Sequence, residues 1–437
     1  MPCDKQADGS GGPEDTLFRV EPSCELHQGD RVEVLRQHPD CSIDAVVTDP
    51  PYGVTGRQPD VLRTLRGWMG ETPVLRHGGK GIAGKPWDSG VPEPDLWREC
   101  IRVLKPGGHV LSFGSPTTFD LAGMSMRLAG LDMRPHLIWL YGQGMPKSLN
   151  VSKSVEKRRP DVDASRFNGM GTGVKPAHEP ILWGQKPVSG TITNNAVAHG
   201  TGIVNIDGTR IGAGVGTPGG PAGRWPASVT LSHTLWCKEV GARQAKSTTH
   251  YPGQRGLGGV TTDGHKGQSG LVDHSPGVET VEIWECAEGC PIGALDAQSG
   301  VRRSGEAAMK RAGGKGTSGR TCGVENRESG TRMVGYGDAG TATRFFYCAK
   351  PSKAERHAGI DGQNVHPTVK PVELMRWLIR LVTPPGGTVL DPHIGSGTTA
   401  VAAVLEGFDV IGIDLDEEGT YLPVARQRVA HAIGSTR

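Results

Sequence analysis

The chain has 437 residues, 35% of them hydrophobic and 22% charged, with a formal net charge of +2. That length suits two or three domains, and the balanced charge excludes a globally basic nucleic-acid coat, so any such footprint must be local. No apolar run approaches the roughly 20 residues of a membrane span, and Met1 to Asp15 is polar without a secretory apolar core. A cytoplasmic setting is therefore expected, with the nine cysteines free or metal-bound rather than paired.

Residues 1–16 read as a disordered leader. From about Leu17 to Val47 the pattern predicts strand, helix, strand, with the helix over Arg31 to Leu35. Asp30 stands just before it, as a helix cap or as a ligand group. Ala45-Val46-Val47 reads as a buried parallel strand, and Asp49-Pro50-Pro51-Tyr52 must end it because proline has no N–H to donate. In an open α/β sheet the carboxyl edge of the strands is where ligands sit. A carboxylate, a free carbonyl at Pro50 and a flat ring at Tyr52 suit a planar exocyclic amine. The acceptors take its N–H bonds and stabilise positive charge as the nitrogen forms a new bond, while the ring stacks on the base. The same four residues also fit a plain strand cap with Tyr52 in the core.

Residues 53–90 form a Gly/Arg-rich loop ending in Lys85-Pro86-Trp87-Asp88. A helix from about Asp95 to Leu104 follows, then a turn at Lys105-Pro106-Gly107-Gly108, a strand at His109 to Phe113, a helix at Thr118 to Ala129 and a strand at His136 to Tyr141. Such alternation predicts a parallel sheet with crossover helices.

After Gly142 the character changes. Residues 171–340 hold 35 of the 66 glycines, so 151–342 reads as an irregular insert rather than a second α/β layer. Two stretches are locally basic: Lys147 to Arg159, and Val301 to Arg332 with eight Lys/Arg against three acids. With Trp236, Trp284 and Tyr336 nearby, such loops suit a surface that tracks phosphates and stacks bases, or simply solvated loops. Within the insert, His233-x3-Cys237 and Cys286-x3-Cys290 have the residue types and spacing of a closed tetrahedral zinc site.

Regular pattern returns near Thr343, with a strand at Phe345 to Cys348. His366-Pro367-Thr368-Val369-Lys370-Pro371 leads into an amphipathic helix, Val372 to Val382. A strand at Thr388 to Leu390 runs into Asp391-Pro392-His393-Ile394-Gly395-Ser396-Gly397-Thr398-Thr399, followed by a helix to Glu406 and a strand, Asp409 to Ile413, with Asp414 at its end. Glycines let the backbone approach a ligand, and an acid at the next strand's end can accept ribose hydroxyls. Only residues 415–437 follow, too few to complete a doubly wound sheet, so the missing strands must come from the block carrying Asp49. The two ends of the chain are thus expected along one carboxyl edge.

These motifs, Asp49-Pro50-Pro51-Tyr52, His366-Pro367-Thr368-x-Lys370-Pro371 and Asp391-Pro392-x-x-Gly395-x-Gly397-Thr398, resemble the S-adenosylmethionine-dependent DNA amino-methyltransferases. The catalytic motif precedes the cofactor loop, as in that family's beta group. The resemblance implies a Rossmann-like, mostly parallel sheet with helices on both faces. Its catalytic half would be 17–150, its target-recognition insert 151–342 and its cofactor half 343–437. The insert, with His178-Glu179-Pro180 and Gly223-Arg224-Trp225-Pro226, is similar to versions found in bacteriophages and prophages. The resemblance further implies that Asp49 and the Pro50 carbonyl, stiffened by Pro51, hold the target amino group while Tyr52 stacks on the base. Asp391, Pro392, Gly395, Ser396, Gly397 and Thr398 would shape the pocket for the cofactor's methionine part. Asp414 would bind ribose, Asp30 would lie near the adenine, and Thr368 and Lys370 would assist. His393 stands where the family usually has Phe.

The implied reaction is direct methyl transfer from sulfonium to nitrogen, on a base extruded from double-stranded DNA. An Asp at the head of the motif favours adenine N6, with cytosine N4 the alternative; RNA and protein-amide enzymes tend to carry Asn there. Cytosine-carbon methylation would need a Pro-Cys nucleophile, and Pro2-Cys3 in the leader is the sole such pair. Monomer or homodimer, and any restriction partner, stay open.

Overall fold

The computed structural model describes residues 22–54, 59–72, 88–141, 148–211, 224–247, 277–303, 339–349, 353–364, 366 and 368–435. The expected leader, Lys85-Pro86-Trp87, most of the Val301–Arg332 basic stretch, Gly223, Tyr336 and Pro367 lie outside the described residues.

In chain order the strands are β1 Cys24–Gln28, β2 Ile43–Thr48, β3 Leu104–Phe113, β4 Asp132–Leu140, β5 His178–Gln185, β6 Val229–Ser232, β7 Lys238–Ser247, β8 Gly277–Glu285, β9 Arg302–Arg303, β10 Ala339–Gly340, β11 Tyr347–Ala349, β12 Thr388–Asp391 and β13 Asp409–Asp414. The helices are α1 Arg31–Leu35, α2 Val61–Trp68, α3 Pro94–Val103, α4 Phe119–Ala129, α5 Val151–Arg158, α6 Ile192–His199, α7 Pro291–Ser299, α8 Lys353–His357, α9 Val372–Val382, α10 Thr398–Glu406 and α11 Tyr421–Ser435.

Among the described residues nine strands make one sheet in the order β1-β13-β12-β2-β3-β5-β4-β6-β11, parallel throughout except at β5. Alternate side chains of a strand point to opposite faces, and β2 uses both. Ala45 and Val47 join the core under α9, α10 and α11, and Val46 joins the core under α3 and α4. Ala400, Ala402 and Ala403 are fully buried, so α10 meets its neighbours through small side chains. The expected α/β architecture with helices on both faces is present.

Several expectations need correction. The stretch 53–90 is not loop throughout: Val61–Trp68 forms α2, capped by Asp60, whose side chain accepts the Arg63 amide. The turn at Lys105-Pro106-Gly107-Gly108 lies inside β3: Ile43 pairs with Leu104 and Ala45 with His109, so the intervening residues bulge out without ending the strand. More important, the segment 151–342 is not wholly outside the sheet. β5 sits antiparallel between β3 and β4, and β6 extends the sheet beyond β4. Pro180 and Gly184 hide β5 in the sequence, since both weaken a strand pattern. Gly184 is there because α4 presses on the strand: an added Cβ would lie 2.9 Å from the Met126 methyl and 3.1 Å from Leu131.

Beyond β6, β7 and β8 form a separate antiparallel hairpin, followed by α7. Six described cysteines are free thiols and Cys41 is disulfide-bonded, unlike the expectation for the whole set. Among the described residues no helix is long and apolar enough to cross a membrane.

Candidate active site

Four neighbouring parallel strands, β1, β13, β12 and β2, end on the same edge, and each delivers an aspartate there: Asp30, Asp414, Asp391 and Asp49 respectively. All four line one cavity of about 510 Å³, together with Tyr52, His366 and Gly395. The two ends of the chain therefore meet as the sequence requires, because β12 pairs directly with β2 (Val389 with Ala45, Leu390 with Val46).

Asp49 lies at the centre of a charged cluster. Its Oδ2 accepts from Lys370 Nζ at 2.5 Å, and its Oδ1 accepts from the Tyr52 hydroxyl at 2.8 Å. That hydroxyl also lies 2.7 Å from Glu179 Oε2, which is 3.5 Å from Lys370 Nζ. Burial opposes the charge on Lys370, but Asp49 and Glu179 outweigh it and hold the ammonium above its ordinary value. Burial, with the same two carboxylates, pushes the Tyr52 phenol well up, so it stays a donor. The loop is fixed from outside: Asp88 Oδ1 accepts the Tyr52 and Gly53 amides at 2.6 and 3.2 Å, and Thr118 donates to the Tyr52 carbonyl at 2.6 Å.

The glycine loop is tied to this frame through Asp391. Its Oδ1 accepts from the Thr48 hydroxyl at 2.6 Å and from the His393 amide at 3.0 Å, and its Oδ2 accepts from Thr399 at 2.6 Å. Burial pushes the Asp391 carboxyl up to about 6 in spite of those bonds. His393 is half-buried, and loss of hydration holds its ring well below its ordinary value, so it is neutral. Its Nδ1 is 3.3 Å from Thr48 Oγ1, and its Nε2 has no partner among the described residues. Asp414 accepts the Gly395 and Asp416 amides, each at 2.9 Å, and burial raises its carboxyl. Gly395 has φ +49°, and an added Cβ would sit 2.8 Å from His366 Nε2.

Several expected residues take roles the sequence did not separate. Lys370 belongs to the Asp49 cluster, with Thr368 beside it on the cavity wall. Asp30 caps α1, its Oδ1 accepting the Val32 and Glu33 amides, while also lining the cavity. Pro392, Ser396 and Thr398 line the cavity; Gly397 does not. Gly397 starts α10 at φ +83°, where a Cβ would lie 2.7 Å from Ala425 Cβ, so it serves the packing of α10 on α11. Ser396 and Thr398 are gripped from behind by the buried Arg428, whose Nη1 donates to the Ser396 carbonyl at 2.7 Å and to Thr398 Oγ1 at 3.1 Å. Glu179, Asp88, Thr48 and Arg428 were not singled out as site residues in the sequence. Of these, Glu179 and Asp88 left a trace, as parts of His178-Glu179-Pro180 and Lys85-Pro86-Trp87-Asp88. His233, Cys237, Cys286 and Cys290 also converge, their ligand atoms within 4.8 Å of one another, but none of them lines the cavity.

The chain is similar to the type II methyltransferase M.HindIII of Haemophilus influenzae, 24% identical over 200 residues, which are 41% of this chain and 64% of that protein. It is also similar to the type II methyltransferase M2.DpnII of Streptococcus pneumoniae, 44% identical over 77 residues, 18% of this chain and 26% of that protein. It thus spans less than two thirds of the length of either relative. Among solved structures, a putative DNA modification methylase of Thermus thermophilus complexed with S-adenosyl-L-methionine aligns over 94% of this chain and 96% of its own, at 17% identity and a TM-score of 0.38. A family described as DNA methylase, the N6/N4 methyltransferases, matches residues 43–424, from the start of β2 into α11 and across both halves of the cavity. The chain belongs to the N6/N4 DNA methylase family.

Proposed function

We propose that the chain transfers a methyl group from S-adenosylmethionine to the N6 amino group of adenine in double-stranded DNA. The observation that carries this reading is that the Asp49-Pro50-Pro51-Tyr52 frame and the Gly395 loop open onto one cavity and are joined by the Thr48–Asp391 hydrogen bond.

The cavity fits the cofactor. Its volume of about 510 Å³ lies within the roughly 300–1,000 Å³ usual for such ligands. Its row of aspartates suits a cationic sulfonium and ribose hydroxyls, Gly395 brings backbone close, and His393 Nε2 offers an unpartnered polar atom. When bound, S-adenosylmethionine supplies an electrophilic methyl group on sulfur. Asp414 and Asp30 would hold its nucleoside end, and the 391–398 loop its amino-acid end.

On the base side, a carboxylate has about four acceptor sites, and Asp49 uses two of them on Tyr52 and Lys370. The others, with the Pro50 carbonyl, accept the target N–H bonds. Two carboxylates against one ammonium leave the cluster net negative, which offsets positive charge growing on the nitrogen. Lys370 keeps Asp49 and Glu179 from repelling one another and fixes the rotamer of Asp49.

Incubating DNA with labelled S-adenosylmethionine and analysing nucleosides by mass spectrometry tests the proposal. N6-methyladenine is expected; N4-methylcytosine would transfer the assignment to that base, and no labelled nucleoside would reject both. Glu179→Gln is expected to lower the single-turnover rate about 10-fold with unchanged cofactor affinity, since it removes one charge from the cluster but keeps an acceptor for Tyr52. An unchanged rate would remove Glu179 from the mechanism.

A further inference from the structure

We propose that His233, Cys237, Cys286 and Cys290 hold one structural zinc ion that fastens the β7–β8 hairpin and α7 to the edge of the catalytic sheet.

The chain path brings two ligand pairs to one point. His233 directly follows β6, and Cys237 directly precedes β7. Cys286 directly follows β8, and Cys290 is the residue before α7, in the N-cap position. Lys238 pairs with Glu285, so Cys237 and Cys286 flank the base of the hairpin. Cys286 Sγ and Cys290 Sγ lie 3.6 and 3.7 Å from His233 Nδ1. A tetrahedral ion with Zn–S near 2.3 Å and Zn–N near 2.0 Å has S···N edges of about 3.6 Å. All four ligand atoms fall within 4.8 Å of one another, the spread of a single ion rather than a multi-iron cluster.

The surroundings fit thiolate ligands. Cys237 Sγ accepts from the Ala287 amide at 3.4 Å and lies 3.2 Å from Thr234 Oγ1, bonds of the kind that steady metal-bound sulfur. Trp284 stacks on the His233 ring at 4.1 Å between centroids and 20° between planes, fixing the imidazole. Gly293 leaves room for Cys286: an added Cβ would lie 2.8 Å from its Cβ and 3.2 Å from its Sγ.

Packing alone gives this region little. Among the described residues its core has three that are buried, Leu231, Cys290 and Ile292, against the dozens under the main sheet. A metal supplies folding free energy where apolar burial cannot. Four protein ligands close the coordination shell, so the ion has no open position and takes no part in methyl transfer. Its effect is to set where the hairpin stands relative to β6, and through β6 to β4 and the rest of the sheet.

The test is elemental analysis of full-length protein purified without chelator. About one equivalent of zinc is expected; less than about a tenth, or iron in its place, overturns the proposal. A mercurial thiol reagent should release that zinc in step with the blocking of three thiols, a readout on the wild-type chain that needs no variant to fold. Refolding with cobalt(II) should give the red-region absorption of a tetrahedral ion with thiolate charge-transfer bands; octahedral cobalt spectra would overturn it. Cys290→Ser should lose the metal, while Cys348→Ser, at a neighbouring thiol outside the set, should keep it. Full zinc in Cys290→Ser would contradict the ligand assignment.

Discussion

Asp49→Ala is expected to lower methyl transfer by about 100- to 1,000-fold, the usual cost of one preorganised transition-state group, while cofactor affinity changes by less than about threefold. Asp49 directly follows β2, whereas the loop expected to hold the cofactor follows β12, and the link between them runs through Thr48 rather than Asp49. Removing the carboxylate deletes the proposed acceptor for the target amine and leaves Lys370 with Glu179 as its remaining partner in the cluster. Single-turnover rates and calorimetric cofactor titration separate the two effects. Parallel loss of cofactor binding would show that Asp49 supports the pocket rather than the reacting nitrogen.

Arg428→Ala should cost about 3–5 kcal/mol of folding stability, at the upper end for a single replacement. The side chain is 1% exposed, and burial pulls its guanidinium down to about 10. It donates to the Ser396 carbonyl, to Thr398 Oγ1 and, at 3.4 Å, to the Glu355 carbonyl. Truncation leaves a cavity and several buried acceptors without this donor, directly behind the glycine loop. Arg428→Lys keeps a charge but not the planar fork, so it should fall between the two. Chemical denaturation checks the magnitude. A loss below about 1 kcal/mol would mean that the loop holds its shape without this clamp.

The legible parts of the chain were those where one local rule sufficed. The helix Val372 to Val382 has an apolar pattern and a proline before it, and its bounds were read as they stand. Asp49-Pro50-Pro51-Tyr52 was legible because proline must end a strand. What the sequence hid depends on partners distant along the chain. β5 carries Pro180 and Gly184, two strand breakers, and makes sense only when α4 lies against it. Lys370 lies 321 positions from Asp49, so its place beside that carboxylate had no local trace. Gly397 looked like a ligand-facing glycine, yet its constraint comes from Ala425. Arg428, in a helix with polar neighbours, gave no hint of being buried. The zinc-type pairs were the exception: spacing within each pair was visible, and the fold brought the pairs together.

The sheet order carries a consequence for biosynthesis. β13 and β12 lie between β1 and β2, so two strands made early are separated in the sheet by two that are made much later. Until those emerge, β2 presents unpaired backbone N–H and C=O groups on the side away from β3, and β1 has no seat. Closure involves pairings such as Gln28 with Asp414, a loop of nearly the whole chain, and contacts of that span make folding slow. A ribosome stalled before Thr388 should therefore display a protease-sensitive nascent chain that becomes resistant once α11 is out.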